Sequence, residues 1–258
     1  MWSYIKSKNN ESTGISDLFH ENKLIQDPVK KANIFNNHFC QVFSKPDSNK
    51  KPTSIKENKN SIPNITVKSA GVLKLLLNIN VNKATGPDGI PGRLLNLCAY
   101  EIVDVLTLFF QASLDQGTVP KDWKQANIVP LHKKGDKSVV LNYRPISLTP
   151  ITSKLLEHIV HSNIITFLDN ESILNNVQHG FRKNRSCKTQ LITTTRDFAN
   201  CLNNKKQIDT VLLDFSKAFD KVDHTKLSDK LHAYGIRNNL HQWVSSFLLG
   251  RQPAVCPG

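Results

Sequence analysis

At 258 residues the chain can form one large domain or two smaller ones, and it can bury a substantial core. Its 34 Lys and Arg against 21 Asp and Glu leave a formal charge of +13, an excess that points to a polyanionic partner, either nucleic acid or an acidic membrane surface. Five scattered cysteines with no CxxC pair argue against a structural zinc site and a disulfide framework, and no apolar run reaches the ~18 residues of a membrane span, so the chain reads as soluble and not secreted.

Asp27 as N-cap and Pro28 at the first helical position open a helix-like stretch in which Ile34, Phe35, His38, Phe39, Val42 and Phe43 recur at helical spacing. Residues 45–64, rich in Lys, Asn, Ser and Pro, read as a flexible linker. Composition becomes globular from about Val67. Val72, Leu75 and Leu76 mark a helix ending near Asn78, and Gly86-Pro87-Asp88-Gly89 is a tight turn with proline preset for its first central position. Helices follow near Arg93 to Cys98 and from about Glu101 to Asp115. Pro120-Lys121-Asp122-Trp123 then leads into a strand, Ala126 to Leu131. Arg144, lying before Pro145, is pushed into extended geometry, and Thr152 or Ser153 caps a helix running through Leu168. Asp223 caps a helix from His224 to Tyr234, and a last helix, Asn239 to Leu249, ends at Gly250. Strands and helices without strict alternation indicate an α+β class.

The charge is unevenly spread. Between Lys121 and Arg144 there are six basic residues and two acidic ones, and between Gly180 and Gln190 four basic residues and no acid. The stretch from Asp209 to Lys230 is nearly balanced, as expected if carboxylates there have a separate task.

Chemistry concentrates in Val211-Leu212-Leu213-Asp214-Phe215-Ser216-Lys217-Ala218-Phe219-Asp220. Val211 to Leu213 read as a buried strand, with Asp214 at its end and a turn after it. A carboxylate there can hold a divalent ion over an open cleft, and nucleotidyl transfer needs such carboxylates to grip two ions about 3.5–4 Å apart. Asp214 is the candidate ligand. Asp220 orients the loop or caps a helix. The bland alternative for Asp214 is a strand-end acid capping its own turn. No H-E-x-x-H spacing, P-loop or G-x-S-x-G elbow is present to support metalloprotease, P-loop or serine-hydrolase chemistry.

Asp-x-x-x-Ala-Phe-Asp resembles the first carboxylate motif of reverse transcriptases. Four further stretches are similar, in the same order, to the polymerases of non-LTR retrotransposons, especially the jockey-like class. They are Lys83-Ala84-Thr85-Gly86-Pro87-Asp88-Gly89-Ile90-Pro91, then Trp123 to Ala126 with Pro130 to Asp136. Next come Asn142-Tyr143-Arg144-Pro145-Ile146-Ser147-Leu148 and Gln178-His179-Gly180-Phe181-Arg182-Lys183-Asn184-Arg185-Ser186. The resemblance runs from about residue 70 to about residue 252 and implies an RNA-directed DNA polymerase with right-hand fingers and a partial palm. It divides the chain into a helical connector and linker (1–66), a fingers-like region (67–205) and the first part of a palm (206–258).

The resemblance also implies roles. Asp214 and the backbone carbonyl of Phe215 would hold Mg²⁺, or Mn²⁺. Lys133, or its neighbour Lys134, and Arg144 would clamp the incoming dNTP, Lys as a point charge and Arg as a bidentate fork. Phe219 would exclude a ribose 2′-OH. Phe181, Arg182 and Arg185 would meet template and primer backbones. The implied partners are an RNA template, a DNA primer, dNTPs and the rest of the element's polyprotein, its endonuclease and remaining polymerase. Residence would be nuclear or cytoplasmic.

The chain departs from this pattern in one respect: it contains no two adjacent acidic residues, whereas the resemblance calls for a second motif of paired aspartates. The expectation is a polymerase segment truncated before its catalytic hairpin and inactive alone. A noncatalytic nucleic-acid-binding remnant is the rival reading. A group II intron-type maturase would share the fold, but the wording of residues 142–148 fits the retrotransposon branch better.

Overall fold

The computed structural model describes residues 15–42 and 57–255, with side chains through Gln41 in the first segment and through Arg251 in the second. Phe43, the linker residues 45–56 and the last three residues lie outside the described residues.

Two hydrophobic clusters organise the chain. The larger is helical. It gathers α2 (Ser69–Leu77), α3 (Gly92–Leu97), α4 (Ala99–Asp115), α5 (Ile151–Asn170), α7 (His224–Ala233) and α8 (Asn238–Leu248) around Val72, Leu76, Phe110, Leu156, Ile236 and Trp243. Leu76, Phe110, Leu156 and Ile236 are fully buried. The Trp243 indole, 2% exposed, donates to Ser113 Oγ at 3.0 Å, and that hydroxyl donates to the Thr118 carbonyl at 2.6 Å. The relay satisfies a buried N–H that would otherwise cost about 1–3 kcal/mol, and it ties α8 to the end of α4.

The helix boundaries follow local chemistry. Asp223 Oδ1 accepts from the N–H groups of Thr225 and Lys226, capping α7 as its sequence predicts. The Thr152 or Ser153 cap does not form: α5 starts two to three residues earlier, at Ile151 behind Pro150, and Ser153 donates instead to Glu157 at 2.8 Å. A helix missed in the sequence, α6 (Cys187–Asn203), has no buried residue and rests on a reciprocal capping box between Ser186 and Thr189.

The flexible-linker reading is corrected for residues 57–64. Ile62 is buried with Ile65 and Val67 in the main core, and the Asn58 and Ile62 N–H groups donate to the carbonyls of Ala233 and Gly235. Arg237 clasps this strap through Ser61 Oγ and the Asn58 carbonyl. Polar composition concealed it because its hydrogen bonds go to distant backbone groups rather than to water.

The smaller cluster is built on a sheet of order β4-β3-β5, with β3 (Gln125–His132) antiparallel to β4 (Tyr143–Leu148) and parallel to β5 (Gln252–Val255). Ala126 and Ile128 alternate inward along β3 and meet Phe35 and Phe39 of α1 (Pro28–Val42). The short hairpin of β1 (Leu18–His20) and β2 (Lys23–Ile25) adds Leu18. Asp27 caps α1 through Lys30 N–H at 2.7 Å, as expected. Lys31, buried on the inner face of α1, donates to the Ile15 carbonyl and to Asp17, each at 2.9 Å.

The predicted buried strand at Val211–Leu213 is not formed. Residues 207–215 have no regular structure, and Val211, Leu212 and Leu213 are 79%, 92% and 85% exposed. A strand needs ladder partners for its N–H and C=O groups, and among the described residues none runs beside this segment. Helix periodicity survives without neighbours; an apolar run is a strand only where a sheet receives it. Among the described residues no helix is long and apolar enough to cross a membrane.

Three outcomes follow from this packing. A Cβ at Gly86 would lie 2.4 Å from the Pro150 nitrogen, so Gly86→Ala should cost about 1–3 kcal/mol in chemical denaturation. Leu212→Asp should change stability by no more than about 0.5 kcal/mol while lowering binding of an apolar fluorescent dye, because the side chain packs against nothing. The Lys31 ammonium, hydrogen-bonded to Asp17, holds that carboxyl below its ordinary value of 3.8, with the Gln26 amide adding to the effect. A depressed carboxyl contributes stability above its unfolded pKa and loses it as pH falls through the folded one. Asp17→Asn should therefore flatten the acid limb of the stability profile measured by denaturant titration.

Candidate nucleotide-binding site

The site begins with the β3–β4 hairpin. Leu131 pairs with Arg144 and His132 with Tyr143, and the Lys133 N–H donates to the Asn142 carbonyl at 2.8 Å, extending the ladder one step beyond β3. Lys133 and Arg144, eleven positions apart, thus sit two rungs apart, one on either side of the His132–Tyr143 pair. The connection turns at Gly135, whose φ of +81° favours glycine. It is fastened by Asn142 Nδ2 donating to the Asp136 carbonyl at 2.8 Å and by the Tyr143 hydroxyl donating to the Lys137 carbonyl at 2.7 Å. The Asp136 carboxyl accepts from Ser138, which holds it below its usual range.

Opposite the hairpin runs the Asp214 loop. The two enclose a cavity of about 710 Å³ lined by Lys133, Arg144 and every residue from Asp214 to Asp220, with Asn142, Tyr143 and Pro145 from the hairpin. Lys217, at φ +53°, sits in the left-handed region and is followed by a helical-type bond from Lys221 N–H to its carbonyl. Five residues singled out from the sequence, Lys133, Arg144, Asp214, Phe215 and Phe219, therefore share one enclosure. Lys134 lies outside its lining. Phe215 and Phe219 are 79% and 76% exposed, neither being a core residue.

The segment carrying Phe181, Arg182 and Arg185 adjoins the same loop. The Phe181 and Phe219 rings meet edge to face with centroids 5.9 Å apart. Arg182 pairs with Asp169 of α5 at 3.0 Å and is 12% exposed; it also donates to the Asn175 carbonyl. Arg185 donates to the carbonyls of Asn176 and Gln178. Arg182 staples this segment to the end of α5, and Arg185 closes it on itself.

Among the lining residues that the sequence reading did not assign to the site, three bear on its chemistry or shape. Lys217 was passed over within the aspartate motif. His38 and Phe39 come from α1, where their helical spacing was visible but not the surface they would cover. His38 is half-buried. Burial, reinforced by the nearby Lys217 charge, holds its imidazole below the ordinary value of 6.5.

Hard oxygen donors suit Mg²⁺, and Asp214, Asp220 and the Phe215 carbonyl are of that type. Among the described residues, however, no three His, Cys, Asp or Glu side chains gather as a metal site. The donors at hand fall short of a set for two ions.

The family profile described as Reverse transcriptase (RNA-dependent DNA polymerase) matches residues 131–256, which takes in the end of β3, the hairpin turn and β4, the Asp214 loop and α5 to α8. The RNA-directed DNA polymerase from mobile element jockey of Drosophila melanogaster is 32% identical over 168 residues, covering 65% of this chain and 18% of that protein. Its counterpart from Drosophila funebris is 30% identical over 185 residues, 71% of this chain and 20% of that protein. The probable RNA-directed DNA polymerase from transposon X-element of Drosophila melanogaster is 28% identical over 191 residues, 71% of this chain and 20% of that protein. The chain thus spans about a fifth of the length of the curated relatives it matches. Over that span it resembles the polymerases of non-LTR retrotransposons.

Proposed function

We propose that this chain carries the nucleotide-binding part and the first catalytic carboxylate of an RNA-directed DNA polymerase from a mobile element. The single observation carrying the proposal is that Lys133, Arg144, Asp214 and Phe219, spread over almost ninety positions, line one cavity. Its volume of about 710 Å³ falls within the roughly 300–1,000 Å³ usual for small-molecule sites. A dNTP brings several negative charges, which Arg144 meets as a planar fork and Lys133 as a point charge. Phe219, exposed at the cavity wall, is proposed to bear on the sugar and disfavour a 2′-OH.

The parent reaction is attack of a primer 3′-OH on the α-phosphorus of the dNTP, with pyrophosphate leaving. In that reaction this chain's residues bind and orient the triphosphate. Mg²⁺ is proposed as the ion of the complete site, held by Asp214 and the Phe215 carbonyl together with oxygen donors beyond those gathered here. The RNA template and DNA primer are proposed to lie along the basic surface near Phe181 and Arg185, consistent with the charge of +13. The remainder of the element's polyprotein is the proposed protein partner. The chain alone is proposed not to extend a primer, because one carboxylate loop cannot organise two ions.

Titration of the chain with dTTP and Mg²⁺ tests this reading. Lys133→Ala and Arg144→Ala should each weaken binding about tenfold, the loss of one charge-assisted contact. Equal affinity in wild type and both variants would overturn it. Primer extension by the chain that disappears in Asp214→Ala would overturn the proposed inactivity alone. Tight oligonucleotide binding that falls steeply with salt, without dTTP binding, would favour a noncatalytic binding module.

A further inference from the structure

α1 is held against the sheet by a patch that also aims one side chain elsewhere. Phe35 is fully buried and Phe39 nearly so; their rings stack at 5.7 Å, and Phe35 meets Tyr143 edge to face at 4.9 Å. His38 lies three residues after Phe35 and beside Phe39, so packing of the two phenylalanines fixes its direction. It points along the rim of the core into the cavity of Lys133, Arg144, Asp214 and Lys217. Its ring lies against Phe39 at 5.7 Å, and among the described residues neither ring nitrogen takes a hydrogen bond from or to the protein. A half-buried imidazole in a cavity with three cationic side chains, with an unused N–H, is a donor waiting for an anionic ligand.

We infer that His38 is a further nucleotide-binding residue, donating from its imidazole to the triphosphate alongside Lys133 and Arg144, so that α1 forms a wall of the site rather than a connector to it. The inference rests on the nucleotide reading given above. Two features support it beyond the lining itself. Burial and the Lys217 charge keep the imidazole largely neutral at neutral pH. A neutral ring keeps one N–H for a phosphate oxygen and costs little desolvation. The loop presents Asp214 and Asp220 to the cavity, whereas His38 comes from α1, so the donor stands on a different element from those carboxylates.

The test uses the full chain with Mg²⁺, titrated in parallel with dTTP and with a short single-stranded oligonucleotide, with circular dichroism to verify the fold of each variant. His38→Leu, which keeps bulk and removes the donor, should weaken dTTP about five- to tenfold. His38→Gln, whose amide can still donate, should retain affinity within about threefold. The Cε1–H resonance of His38 in the wild-type chain should shift when dTTP is added, a readout that does not depend on any variant folding. If His38→Leu binds dTTP within about twofold of wild type while Lys133→Ala and Arg144→Ala lose affinity, the inference is overturned and the nucleotide reading stands. Loss of oligonucleotide affinity with dTTP binding intact would equally overturn it, assigning His38 to a nucleic-acid backbone. If dTTP binds none of the chains, both readings fall together.

Discussion

The packing of Tyr143 is the constraint on which the candidate site depends. Its ring is wedged between Phe35 of α1 and His132 of β3, at 4.9 and 5.3 Å, and its hydroxyl donates to the Lys137 carbonyl in the turn. One side chain thereby fixes the docking of α1, the register at the hairpin end and the path of its connection. Arg144 follows directly in the chain and Lys133 lies one rung away, so both inherit their positions from it. Burial pushes the Tyr143 phenol up, which keeps its hydroxyl protonated and available as a donor.

The opposite side of the cavity is built differently. The Asp214 loop has no strand, the Val211 to Leu213 run leading into it is exposed, and the edge contact between Phe181 and Phe219 is one of its few side-chain attachments. Phe181 sits at φ +58°, a conformation bulky residues rarely adopt, and the Arg182 and Arg185 bonds to nearby carbonyls hold the turn around it. A firmly packed basic hairpin therefore faces an acidic loop with little packing of its own. Exposed Val211 to Leu213 and Phe215 form a run larger than scattered surface apolars explain, the kind of surface that a further layer of structure would cover.

Local chemistry made much of this legible in advance. The caps at Asp27 and Asp223, the turn at Gly86 to Gly89, the strand through Ile128 and the extended Arg144 are set by neighbours in the chain, and they form as read. What was missed depends on distant partners. The strap at residues 57–64 is stabilised by carbonyls more than 170 positions away, and α6 buries none of its residues, so its Leu191, Phe198 and Leu202 find no core to mark it. His38 showed helical spacing, but nothing near it in sequence names the cavity it lines.

By itself the sequence determined the identity and order of the chemical groups: a lysine and an arginine flanking a hairpin, an aspartate ahead of an Ala-Phe-Asp turn, and a chain basic enough for a polyanionic partner. Those are properties of residue type and short-range spacing, which folding does not alter. Only the tertiary structure decided that Lys133, Arg144, Asp214 and Phe219 share one cavity, that α1 closes part of it, and that the apolar run beside Asp214 stays out of a sheet. Side-chain burial and strand pairing are satisfied between segments far apart in the chain, so no stretch of sequence read alone contains the partner that settles them.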